Sequence, residues 1–145
     1  MERKGTRRMG SGRRKAGQRK QPLHPEKVNI RGYAMGRDVV FLVTGGEAHV
    51  GAAATAYWPE GEDGVRSGVM SLPGHREDDL AAELAMMAAQ ALRRTAVVVA
   101  GIHLHRPSAQ EIEEIVAEAR ERMRQVLVEW EDRAKESGAN GETSH

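Results

Sequence analysis

The chain has 145 residues, 39 % apolar and only 3 % aromatic, with no cysteine and a formal net charge of +1. That length supports one domain with a core of Val, Ile, Leu, Met and Ala, and the missing thiols exclude disulfides, thiolate catalysis and Cys-based zinc sites. With no cysteine, a cytoplasmic protein is the natural reading; no apolar run reaches the roughly 18 residues of a membrane span, so no membrane partner is expected.

The near-neutral total conceals a division. Residues 1–20 carry nine Lys or Arg against the single acid Glu2, so the remainder is net acidic. Residues 1–24 hold almost nothing to bury and cannot offset their ordering entropy, so they are expected to form a disordered basic tail. Like-charge blocks are usually solvated, although such an arm also suits RNA, DNA or an acidic surface.

From residue 25 the pattern becomes that of a folded domain, expected to run to 136. "KVNIRGYAM" alternates as a strand, and "GRD" turns the chain. "VVFLV" (39–43) is a continuous apolar run of the kind found in a central strand buried on both faces. "TGGE" signals a second turn, and "AHVGAAATAYW" (48–58) reads as one long strand. A fourth strand, "RSGVMSL" (66–72), ends at Pro73-Gly74.

Asp78–Arg93 then spaces Leu80, Leu84, Met87, Ala88 and Ala91 along one helical face, with acids in the first turn where the helix dipole favours them. "TAVVVAGI" (95–102) is a second strand of the doubly buried type. Ser108 and Glu111 form a capping box opening a helix to about Lys135, and residues 137–145 are expected to fray as a disordered tail. The class is α+β. Its expected form is a hairpin meander of four strands, then helix, strand and helix: a mixed, mainly antiparallel sheet of about five strands (ββββαβα) with both helices on one face. The long last helix is expected to pack partly against a second subunit.

Strand alternation over 48–58 places Ala48, Val50, Ala52, Ala54, Ala56 and Trp58 on one side, a low wall for a helix. His49, Gly51, Ala53, Thr55 and Tyr57 share the other, a floor of small residues suited to a flat ligand. Gly45 and Gly46 in "TGG" suit either a turn or an anion-binding nest of backbone N–H groups. "LPGHRED" sets Gly74, His75, Arg76 and Glu77 at a strand-to-helix junction, and "AGIHLHRPS" sets Gly101, His103, His105 and Arg106 at the next. If these ends converge they line one pocket, with Arg76 and Arg106 available to an anion. His103 and His105 have the spacing of a strand-borne metal pair but no third ligand, so no metal is assigned. No nucleophile elbow or carboxylate pair announces an enzyme.

The stretches "TGGEAHVGAAATA", "LPGHRED" and "VVVAGIHLHRPSAQEIEEI", in this order, resemble the LpdD-like family of chaperones for prenylated flavin mononucleotide (prFMN). The resemblance runs from about Val28 to Trp130. It implies a homodimer with a fold like the eukaryotic proteasome-assembly chaperones. It also implies a non-catalytic carrier that binds reduced prenylated FMN and delivers it to a UbiD-type decarboxylase, where oxidation yields the active cofactor. Carried over residue by residue, the cofactor-binding set is Gly45, Gly46, His49, Gly74, His75, Arg76, Glu77, Gly101 and His103. His105 and Arg106 stand where the family pattern tends to an acid and an amide, a departure that bears on the last loop and on ligand preference. Two other classes compete: a protein-assembly chaperone without a small-molecule ligand, and an RNA-associated protein acting through the basic arm. A small hydrolase or metal-dependent enzyme ranks last.

Overall fold

A computed structural model of the chain describes residues 27–74 and 77–142, so the basic segment 1–24 and the expectations placed on it lie outside the described residues. Seven elements follow in the expected order: β1 (Asn29–Met35), β2 (Asp38–Gly46), β3 (Ala52–Tyr57), β4 (Arg66–Ser71), α1 (Asp78–Leu92), β5 (Ala96–His103) and α2 (Ala109–Glu142). They build a five-stranded sheet in the order β1-β2-β5-β3-β4. Only β2 and β5 run parallel; the other three pairings are antiparallel. The fold class is therefore the expected mixed, mainly antiparallel α+β sheet.

The four leading strands are not a continuous meander, however. They form two separate hairpins, and β5 occupies the gap between β2 and β3. The reason lies in the residues between the hairpins. "EAHVG" alternates like a strand, yet Glu47–Gly51 makes no ladder; it crosses the end of β5 to reach β3 on the far side. Nor does "TGG" turn the chain. Gly45 and Gly46 continue β2, paired with Ile102 and His103.

One face of the sheet is covered by both helices. Val39, Phe41 and Val43 of β2, Ala96, Val98 and Ala100 of β5, and Ala52, Ala54 and Ala56 of β3 are all buried in register. Against them α1 buries Leu80, Ala81, Leu84, Ala85, Ala88 and Ala89. Alanine facing alanine lets helix and strand backbones approach closely, so the low wall read from the sequence serves α1. α2 buries Ile115, Ala119, Met123 and Leu127. Its Arg120 forms a two-pronged ion pair with Glu83 of α1, at 2.6 and 3.0 Å. The Glu118 carboxylate of α2 accepts the backbone N–H groups of Lys27 and Val28, tying the start of β1 to the helix.

The capping box forms as the sequence requires: Glu111 N–H donates to Ser108 Oγ at 3.0 Å, and Ser108 N–H donates to the Glu111 carboxylate at 2.9 Å. Those two Ser108 bonds, backbone first, hold the Glu111 carboxyl below its ordinary pKa. Ser108→Ala is expected to cost about 1 kcal/mol in urea unfolding at neutral pH. Because the folded pKa is depressed, Glu111's own contribution is complete above the ordinary carboxylate pKa and is lost as pH falls through the lowered value. The stability gap between the wild type and Glu111→Gln should accordingly close in acid; a gap that persists there would show that the charge is not responsible. α2 continues to Glu142, beyond the expected end near Lys135.

The opposite face is open. β2 and β5 read as strands buried on both sides, but Leu42 is 37 % exposed and Val40, Val97 and Val99 are only partly buried.

Candidate functional site

The carboxyl ends of the parallel pair β2 and β5 lie side by side, Gly46 opposite His103. In sheets with such a pair, this end is where strand direction and crossover leave room for a ligand. Three segments meet here: the crossover 47–51, the start of α1 at Glu77, and the β5–α2 loop.

His49 is the residue around which they are arranged. Its Nδ1 lies 3.1 Å from the Glu47 carbonyl. A carbonyl only accepts, so that bond forms with the hydrogen on Nδ1 and leaves Nε2 for another partner. Nε2 is 3.6 Å from Glu77 Oε1, with the two side chains 25 % and 14 % exposed. The His103 ring stands edge-on at a centroid distance of 5.9 Å from His49. A ligand's polar edge placed here meets imidazole N–H groups that donate and a carboxylate that accepts.

The small residues are what allow this approach. A Cβ at Gly101 would overlap the backbone carbonyl of His49, which lies directly over β5. One at Gly51 would overlap the Glu77 carboxylate. Gly46, at a φ of +63°, brings its α-carbon against the His103 carbonyl where no side chain fits. Gly45 and Gly46 thus admit the protein's own backbone.

Beside the histidines is a cavity of about 370 Å³ lined by Gly74, Glu77, Leu80, Ile102, His103, Leu104, Pro107, Ile112, Ile115 and Val116. Its walls are largely aliphatic, with Glu77 and His103 as the ionisable groups. Ile112, Ile115 and Val116 of the last helix are not among the residues the sequence marked for the site. Their role was signalled by position, since the first turns of α2 follow directly on "GIHLHRPS".

Of the nine residues in the predicted set, the structure brings Gly45, Gly46, His49, Glu77, Gly101 and His103 together at one sheet end, with Gly74 on the cavity wall. His75 and Arg76 lie outside the described residues. The floor of small residues does not form as one surface: Ala53, Thr55 and Tyr57 belong to β3, whereas His49 leaves the strand in the crossover. His105 and Arg106 are exposed in the β5–α2 loop, Arg106 with a φ of +48°. Among the described residues no three His or carboxylate side chains converge as a metal site requires, and no helix is long and apolar enough to cross a membrane.

A family model described as "Prenylated flavin chaperone LpdD-like domain" matches residues 24–131. No curated protein matches the chain. A solved structure, "Crystal Structure of a Novel Chaperone Complex for Yeast 20S Proteasome Assembly", is similar over 75 % of this chain and 94 % of that one, at 13 % identity and a TM-score of 0.42.

Proposed function

The chain belongs to the LpdD-like prenylated flavin chaperone family, and from that premise we propose that it is a non-catalytic, homodimeric, cytoplasmic carrier of reduced prenylated FMN that delivers its cargo to a UbiD-type decarboxylase. The observation that supports this reading best is the pairing of an aliphatic cavity with a His49–Glu77–His103 cluster on its rim.

A prenylated flavin presents the same two characters. Its ring system and prenyl addition are apolar and suit Leu80, Ile102, Ile112 and Val116, whereas its pyrimidine edge carries hydrogen-bond donors and acceptors for the imidazoles and the carboxylate. A volume near 370 Å³ is at the small end for a ligand site, so the cargo is only partly enclosed. Partial enclosure is what a carrier needs, since it must let its ligand go. For the phosphate, the sequence offers Arg76 in "LPGHRED". The redox chemistry belongs to the flavin and to the recipient enzyme; this chain binds, orients and shields.

Anaerobic titration with reduced prenylated FMN, alongside ordinary reduced FMN, tests the reading. Near-stoichiometric binding selective for the prenylated form is expected. His49→Ala and Glu77→Gln should each weaken it roughly 10-fold, the scale of one hydrogen bond to a charged or strongly polar group. No binding of either flavin by the folded wild type would overturn the proposal.

A further inference from the structure

We propose that a second, basic cavity, at the end of the sheet opposite the histidine cluster, binds the phosphate groups of a small phosphorylated ligand. The carrier reading does not require this site, and the site does not rest on that reading. The parallel pair runs from Val39 opposite Ala96 to Gly46 opposite His103. Seven steps of about 3.3 Å separate the two ends by roughly 23 Å.

The cavity has a volume of about 630 Å³, and Arg37, Asp38, Trp58, Arg93, Arg94 and Thr95 are among the residues that line it. The three arginines reach it from two distant parts of the chain. Arg37 comes from the turn between β1 and β2, where Gly36 has a φ of +62°. Arg93 and Arg94 come from the link between α1 and β5. Strand pairing brings them together. β2 and β5 start side by side, the Val39 N–H donates to the Thr95 carbonyl at 3.3 Å, and the Thr95 N–H donates to Asp38 Oδ1 at 3.2 Å. Arg93 is held further. Its guanidinium lies over the Trp58 ring, 4.7 Å from the centroid, and Trp58 Nε1–H donates to the Ala89 carbonyl at 2.9 Å. A guanidinium fixed before the ligand arrives loses less entropy on binding it.

Charge and chemistry select a phosphate. Arginine at the end of a helix commonly serves only to complement the dipole, which amounts to about half a negative charge there. Three full positive charges exceed that half-charge and the Asp38 carboxylate together, and Arg37 belongs to another element altogether. Among the described residues no carboxylate forms an ion pair with any of the three guanidiniums. Their charge is therefore not neutralised within the fold. A guanidinium presents a planar fork that matches two phosphate oxygens. Several of them around one concavity suit a group with more than one negative charge, which separates phosphate from a lone carboxylate. The volume lies within the range of small-molecule sites.

Heteronuclear NMR of the nitrogen-labelled full chain, in phosphate-free buffer and without flavin, tests the site. Residues 1–20 carry nine Lys or Arg that attract anions by charge alone. The readout is therefore local: the Trp58 indole N–H and the backbone N–H groups of Arg37, Arg93 and Arg94. Pyrophosphate and, separately, ADP should shift these signals saturably, with a Kd below about 1 mM. The tighter of the two tells whether inorganic or organic phosphate is the better ligand. Arg94→Gln and Arg93→Gly should each weaken binding at least roughly 10-fold, the scale of one hydrogen bond between charged groups. Arg93 has a φ of +58°, where glycine is the more usual residue, so Arg93→Gly keeps the fold. Arg124→Gln removes a positive charge from the exposed surface of α2 and should leave the affinity unchanged. No saturable shift with either anion by about 10 mM, or equal affinity in the wild type and both cavity variants, would overturn the proposal. Saturable shifts with hexaglutamate and with neither phosphate would overturn it as well, and would make the cavity a docking point for an acidic protein segment.

Discussion

Gly101→Ala is expected to destabilise the fold by about 3 kcal/mol and to remove flavin binding in whatever folded protein remains. The added methyl group would occupy the position of the His49 carbonyl. The obstacle is backbone, so no rotamer change relieves it. The Gly51 N–H donates to the Ala100 carbonyl at 2.9 Å, and the Leu72 N–H donates to the Gly51 carbonyl at 2.9 Å, so the far end of the crossover is pinned to strands on both sides. The segment must lift as a whole, and His49 leaves Glu77 when it does. Urea unfolding reads the first effect and anaerobic titration the second. Gly51→Ala is the informative contrast. Its methyl group meets the end of the Glu77 side chain, which can swing away, so the fold should suffer less while the His49–Glu77 contact is still lost. Wild-type stability in Gly101→Ala would mean that the crossover is not held over β5.

Phe41→Ala should cost more, about 4 kcal/mol, and should act by loosening α2 from the sheet. Phe41 is fully buried and meets Trp130 edge to face, with centroids 5.6 Å apart and rings inclined at 68°. Gly32 on the neighbouring strand makes room for both rings; a Cβ there would lie 2.6 Å from the Phe41 ring and 2.8 Å from that of Trp130. In a chain this poor in aromatic residues, that pair anchors the C-terminal half of the long helix. Phe41→Leu should recover about half of the loss, since it refills volume without the ring pair. Hydrogen exchange along 123–136 is the diagnostic measurement, and unchanged protection there would refute the anchoring role.

The number, type and order of elements were legible because each rests on local signals: the capping box at Ser108, the 3–4 spacing of Leu80, Leu84 and Ala88, and the apolar runs of β2 and β5. The position of β5 between the hairpins was not legible. It depends on the backbone of His49 lying over Gly101, 52 positions away in the chain, and no periodicity records such a contact. The same holds for the site. His49, Glu77 and His103 each stood out as polar groups at element ends, but their meeting follows from the crossover. The glycines were noticed for the correct physical reason, that small residues admit a close neighbour. The neighbour is the protein's own backbone and a carboxylate, and the aliphatic lining arrives from a helix that was read only for packing.

The insertion of β5 also bears on how the molecule assembles. Each hairpin can close early, because its partners are near neighbours in sequence. Neither can be joined to the other until the central strand arrives, and every rung that β5 makes spans at least 40 residues. During synthesis the two halves must therefore wait, apolar edges unpaired, until α1 and then β5 have emerged from the ribosome. Closing the sheet is the slow, long-range step, and the same event carries His103 up to His49, so the ligand cluster comes into being only when the last strand is seated.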